Sequence, residues 1–235
     1  MYSVPTKLTV DFGAPNGEAV FFNVNPVIPV TVGDWNLISR FIIPAIVSVD
    51  GLIGGTPDIP LGAPSVERKT GLGDINYSLF FSPTESKPMW GIGPSLSMPT
   101  ATEDQLGSGK WSGGATGVLL LQPKWGTYGA LVRQIWSFAG DSDRADVNQF
   151  LIEPFGMYNL ANGWYLMTDM IITANWDASS GQTWTVPIGG GFGKLFTIGK
   201  QPINANLQAY YMVERPDFAP DWNMALTFTF LFPKK

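Results

Sequence analysis

Counted by twos, residues 163–177, "GWYLMTDMIITANWD", separate into two chemically different faces. Trp164, Leu166, Thr168, Met170, Ile172, Ala174 and Trp176 fall on one side, and Tyr165, Met167, Asp169, Ile171, Thr173 and Asn175 on the other. One face is apolar with an aromatic at each end; the other carries an acid, an amide and hydroxyls. A period of two is that of a strand, and the contrast between its faces places them in two different media. The same period recurs along the whole chain, broken by turn-forming clusters. Twelve segments show it, at about 5–12, 19–30, 35–49, 71–82, 89–99, 114–123, 127–138, 147–159, 164–176, 183–192, 201–212 and 223–232. A tilted strand needs roughly 9 to 11 residues to cross a bilayer, and these segments are near that length.

The connections sharpen the reading. "VGD" at 32–34, "PTESKP" at 83–88, "KWG" at 124–126 and "LANG" at 160–163 are short. Those between them, such as 51–70, 100–114, 139–146 and 213–222, are longer and more polar. Alternating short turns and long loops are the pattern of an outer-membrane barrel. Two connections depart from it: "GAPNGE" at 13–18 is short on the long-loop end, and "GFGKLFTIGK" at 191–200 reads as long on the short-turn end. The expected fold is therefore an all-β, transmembrane, antiparallel up-and-down β-barrel of about twelve strands, with both termini periplasmic. No composition shift or linker divides the chain, so residues 1–235 read as one domain.

A soluble sandwich also alternates, but its polar face meets bulk water and should be rich in Lys and Glu. Here Met224, Leu226, Phe228, Phe230 and Phe232 alternate with Asn223, Ala225, Thr227 and Thr229, a neutral small-polar face suited to a crowded wet interior. Charged residues are 14% of the chain, against about 25% in ordinary soluble domains. No apolar run is long enough for a membrane helix. A net charge of −5 and the lack of a basic patch speak against nucleic acid as a partner. The chain contains neither Cys nor His, which removes thiolate and imidazole metal ligands and the Ser-His-Asp triad. No catalytic residues, enzyme activity or cofactor are expected. The opening "MYSVPTKLTVDFG" has no charged segment followed by an apolar one, so a signal peptide is expected to be missing from this sequence.

Several stretches resemble the bacterial outer-membrane transporter family assigned to the MetA pathway of phenol degradation, also labelled neuromedin U. They are "NVNPVIPVTVGDWNLISRFIIP" at 23–44, "GLGDINYSLFFSP" at 71–83, "WGIGPSLSMPTATEDQLGSGKWSGG" at 90–114, "YGALVRQIWSFAGDSDRADVN" at 128–148 and the closing "LTFTFLFPK". "GDWNLISR" and "WSFAGD" are the more specific blocks. The resemblance implies an outer-membrane β-barrel that passes small or hydrophobic compounds. It also implies a signal and a segment before the barrel, both absent from this sequence; if that segment plugs the lumen in relatives, this chain is expected to be more open than they are.

With the polar face turned to the lumen, Lys7, Asp11, Arg40, Asp74, Arg133, Glu153 and Asp169 point inward, because a basic charge at mid-depth on the lipid face costs about 2–4 kcal/mol. Arg40 is expected to pair with Asp74, and Arg133 with Glu153. Such charges either fill a narrow interior or form a constriction that sets charge preference for a solute. Phe21, Leu131, Ile135 and Ile171 interrupt the same face with apolar groups, pointing to partly hydrophobic cargo. Asp141, Asp143 and Asp146 in "AGDSDRAD" have a spacing that could hold Ca²⁺, although the Gly and terminal Glu of an EF-hand loop are missing and a solvated acidic tip fits better. "GGGFGK" at 189–194 lacks the spacing of a phosphate loop and reads as strand end and turn. Pro26, Pro29, Pro44, Pro94, Pro99, Pro154 and Pro187 lie in or beside strand segments, which an ordinary sheet interior does not tolerate. The expected function is passive passage of small molecules, hydrophobic or aromatic ones among them, across the outer membrane, with membrane lipid as the surrounding partner. The alternatives are a structural or surface-interaction barrel with a packed lumen and, more remotely, a lipid-modifying enzyme.

Overall fold

The computed structural model describes residues 2–52 and 67–232. Fifteen strands follow one another: β1 (Tyr2–Ala14), β2 (Asn16–Val24), β3 (Val27–Val32), β4 (Trp35–Leu52), β5 (Lys69–Gly71), β6 (Ile75–Pro83), β7 (Met89–Met98), β8 (Lys110–Leu121), β9 (Gly126–Gly140), β10 (Asn148–Asn159), β11 (Trp164–Asp169), β12 (Ile172–Asn175), β13 (Trp184–Ile198), β14 (Gln201–Glu214) and β15 (Trp222–Phe232). They fill twelve positions of one antiparallel wall, because β2 and β3, β5 and β6, and β11 and β12 each share a position. The ring closes through β1 and β15, in register from Tyr2↔Phe232 to Phe12↔Trp222. Closure leaves no edge strand, so backbone donors and acceptors are satisfied within the wall.

The twelve positions match the twelve alternating segments one for one. The stretch 191–200 is corrected: β13 runs on to Ile198 and pairs with β14 from Ile198↔Gln201, leaving only Gly199 and Lys200 as a turn. "GGGFGK" accordingly lies within a strand and not at its end. Short turns stand at the end that carries both chain termini, and the long connections at the other, called here the loop end.

The prolines sit where the wall is interrupted. Pro26 separates β2 from β3, and Pro99 follows the last residue of β7. At Pro44, Asn23↔Pro44 is followed by Phe22↔Ile46, so Ala45 bulges out of the ladder. Pro187 stands at a second register shift, between Val186↔Glu214 and Pro187↔Met212. The β6–β7 ladder lapses between Ser78↔Ser95 and Phe81↔Ile92, where Pro94 lies. Pro154 faces the break between β11 and β12, where its carbonyl accepts a bond from the Met170 N–H at 3.2 Å. Pro29 lies where β3 has passed the start of β1 and pairs with β4. A residue without an N–H is tolerated where the ladder needs no donor.

Burial is inverted relative to a water-soluble protein. Thr9, Asn23, Ser95, Gln149, Asn206, Gln208 and Thr227 are buried, whereas Ile92, Val132, Leu166, Ile188, Phe192 and Phe228 are exposed. On β14, Leu207 and Tyr211 point outward and Gln208 and Tyr210 inward. The outer wall is thus predominantly apolar. Exposed aromatics gather towards the ends of the strands: Trp125 with Tyr128 and Tyr158, and Trp35 with Trp90, at the end carrying the termini; Trp176 with Trp184, and Tyr211 with Trp222, at the loop end.

Candidate functional site: a cross-braced lumen

The inward charges do not pair with their neighbours as expected. The partner of Arg40 is Glu153, with Nη2 and Oε2 3.8 Å apart, and not Asp74. These two residues stand on β4 and β10, the third and eighth positions of the twelve, so the pair crosses the lumen. Arg133 on β9 donates to Asn76 Oδ1 on β6 at 3.0 Å and to Gln149 Oε1 on β10 at 2.8 Å, and not to Glu153. Register explains both corrections. Beside Arg40 on β6 is Ser78, and beside Arg133 on β10 is Leu151. Neither arginine finds an acid at its own level; Arg40 reaches across to the eighth position, and Arg133, at the seventh, reaches the fourth.

Four of the seven expected residues form one group. Asp169 and Lys7 both lie near enough to Glu153 to interact with its carboxylate, beside Arg40. The Asp169 backbone N–H donates to the Tyr210 hydroxyl at 2.7 Å, and that hydroxyl donates to Gln208. Asp11 is held apart, accepting a bond from the Asn223 amide. Asp74 is also separate, and its role is different: Oδ1 accepts from the Ala101 N–H at 3.1 Å, and Oδ2 from the Ser108 N–H at 2.7 Å and hydroxyl at 2.9 Å. It fastens the β7–β8 loop.

Apolar residues fill part of the interior. Phe80, Leu131 and Leu151 form a buried cluster with Ile38, Val118 and Ile171 packed on it. Phe21 is fully buried on the lumen side of β2, and Ile135 is buried as well. The cavity between Arg40, Asn76, Arg133 and Glu153 has a volume of about 40 Å³. At roughly 10–15 Å³ per water, that holds about three waters and no organic solute.

The acidic loop distributes its carboxylates among different partners. Asp141 Oδ1 accepts from the Asp143 N–H at 2.9 Å, while Asp146 Oδ1 meets the Ser137 hydroxyl at 3.0 Å and Lys110 Nζ at 3.3 Å. No metal-ligand cluster occurs among the described residues. Lys194 in "GGGFGK" lies over the Trp164 ring, 4.9 Å from its centroid. The residues not singled out from the sequence are Asn76 and Gln149, which hold Arg133, and Leu106, Ser108 and Arg144, which hold a loop. Asn76 and Gln149 lie on inward faces of their strands and could have been found by parity; the loop residues follow no period.

The fold is thus a closed, twelve-stranded antiparallel β-barrel with a polar, cross-braced interior and an apolar exterior. It is similar to the COG4313 outer membrane channel from Pseudomonas putida F1, with a TM-score of 0.71 at 14% identity over 98% of this chain and 94% of that one. A weaker likeness, to CdiB from Acinetobacter baumannii, has a TM-score of 0.45 at 8% identity, covers 97% of this chain and 60% of that one, and carries no argument. No family model and no curated protein matches the sequence.

Proposed function

We propose that this chain is an outer-membrane channel or transporter for passive passage of small solutes, with its long loops outside and both termini periplasmic. The observation that carries the reading is the cross-lumen bracing by Arg40–Glu153 and Arg133. A barrel that only had to be filled needs apolar side chains, whereas opposed charges held by few bonds can part and then line an aqueous path. The apolar exterior and terminal aromatic clusters support a lipid surrounding, with the aromatics at headgroup level. Likeness in shape to an outer membrane channel supports the same role. The sequence resemblance to the MetA-pathway transporters, together with Phe21, Leu131, Ile135 and Ile171 on the lumen face, favours hydrophobic or aromatic cargo. We read the protein as non-catalytic.

A second reading, a structural barrel with a permanently packed lumen, is favoured by the Phe80, Leu131 and Leu151 cluster. The test is planar-bilayer conductance of the refolded protein beside Arg40→Ala and Arg133→Ala. The channel reading expects discrete steps, with ion preference shifted towards cations when either positive charge is removed. Silence in all three, from protein shown by circular dichroism to be folded, would establish the packed barrel instead.

A further inference from the structure

The connection between β7 and β8 does not project away from the barrel. It turns across the mouth, and its Leu106 side chain, fully buried, packs on Ala19, Phe21, Val47 and Val49. Those four lie on β2 and β4, at the second and third wall positions, whereas the loop leaves β7 and enters β8 at the fifth and sixth. Thr100 and Thr102 tie its base to Leu72, Gly73 and Ile75, and two charged clamps hold the rest. From below, the buried Asp74 carboxylate takes three bonds from Ala101 and Ser108. From the facing β9–β10 loop, the Arg144 guanidinium donates to the Asp104 carbonyl at 2.7 Å and the Gly107 carbonyl at 2.5 Å.

We propose that residues 99–109 form a displaceable stopper over the loop-end mouth, latched by Asp74 and Arg144 and seated by Leu106. Its importance for transport rests on the channel reading; its mobility does not. The loop can leave without damage to the barrel because β7 and β8 remain paired from Met89↔Leu120 to Ser97↔Ser112 without it. Its attachments are mostly side-chain bonds, not a strand ladder, and Asp74 and Arg144 make the charged ones. Asp74 is a positioning residue here: it acts on the path through the loop and not by facing the solute. Each clamp is charge-assisted, the stronger kind of hydrogen bond, so its loss should shift the open–closed balance appreciably.

The chain contains no cysteine, so Ala19→Cys places a single thiol in the seat beneath Leu106. Its rate of modification by a water-soluble methanethiosulfonate is measured in refolded barrels, alone and combined with Arg144→Ala or Asp74→Ala, with heat-modifiable gel mobility as the check on folding. The proposal expects slow labelling that accelerates at least about tenfold when a latch is cut. Unchanged labelling in the folded Arg144→Ala background would overturn it, and that variant alters a loop residue whose loss the barrel should survive. Bilayer conductance of the same proteins separates the two proposals. Faster labelling with a silent bilayer keeps the stopper and removes the channel; conductance with unchanged labelling does the reverse.

Discussion

The guanidinium of Arg40 and the carboxylate of Glu153 meet across the lumen at 3.8 Å, with side-chain exposures of 28% and 15%. Removing one partner of a buried ion pair leaves an uncompensated charge, whereas removing both leaves none. Partial exposure reduces the penalty, so Arg40→Met is expected to cost about 1–3 kcal/mol. The double variant Arg40→Met/Glu153→Met should recover most of that loss. Urea unfolding from lipid vesicles measures all three, and additive single effects would show that the two side chains do not communicate.

Val132 is an exposed apolar residue in the middle of β9, one position from the inward Arg133. If this wall meets hydrocarbon, Val132→Arg should destabilise the folded barrel by about 2–4 kcal/mol. In a barrel surrounded by water the same change would be nearly neutral. The vesicle unfolding midpoint therefore tests the surrounding medium directly, one residue away from a charge that the fold already accommodates.

Face assignment was legible in the sequence because a strand has only two sides. Once Asp169 and Tyr165 were placed opposite Trp164 and Leu166, the inward position of the acid followed, and Lys7, Arg40, Glu153 and Asp169 do converge. Pairing was not legible. Which acid Arg40 meets depends on register, and a bulge such as the one at Ala45 changes register in a way that no periodicity reports. Arg40 and Glu153 also lie on opposite walls, so no local pattern links them. The β13–β14 turn was misplaced because the glycines of 189–193 imitate a loop. The β7–β8 loop reads as polar and external, since nothing in "TATEDQLGSG" shows that Leu106 has an apolar seat more than fifty residues earlier in the chain, from Ala19 to Val49.

Gly93 makes a close approach that no other residue type can make. A Cβ there would lie 1.8 Å from the Leu79 carbonyl oxygen on β6, at the place where the β6–β7 ladder lapses. Backbone cannot move aside as a flexible side chain can, so Gly93→Val should force the two strands apart. The expected result is a large loss of the folded, heat-modifiable band, while Gly33→Ala, at a turn with nothing within 4 Å, leaves that band in place despite its positive φ. Normal folding of Gly93→Val would mean that the seam is looser than its geometry indicates.

At the loop end, Lys110 is largely buried and reaches the exposed Asp146 carboxylate at 3.3 Å. The Ser137 hydroxyl bond, followed by the bond and charge of Lys110, holds the Asp146 carboxyl below its ordinary value of 3.8. A carboxyl whose folded pKa is depressed adds stability that is fully present above its unfolded pKa and is lost as pH falls through the folded one. The contribution is therefore constant at neutral pH and disappears only below about pH 4. Titration of the Asp146 carboxyl carbon by nuclear magnetic resonance should place its midpoint below 3.8, with Ser137→Ala and Lys110→Met each moving it upward. The Ser137 hydroxyl is the largest single cause, whereas Lys110→Met removes a bond and a charge together. Because protonation of Asp146 also strips Lys110 of its counter-charge, acid should loosen this rim before it unfolds the wall. Amide hydrogen exchange should rise first between residues 141 and 147; simultaneous loss across β9 and β10 would show that the ion pair has no separate role at the mouth.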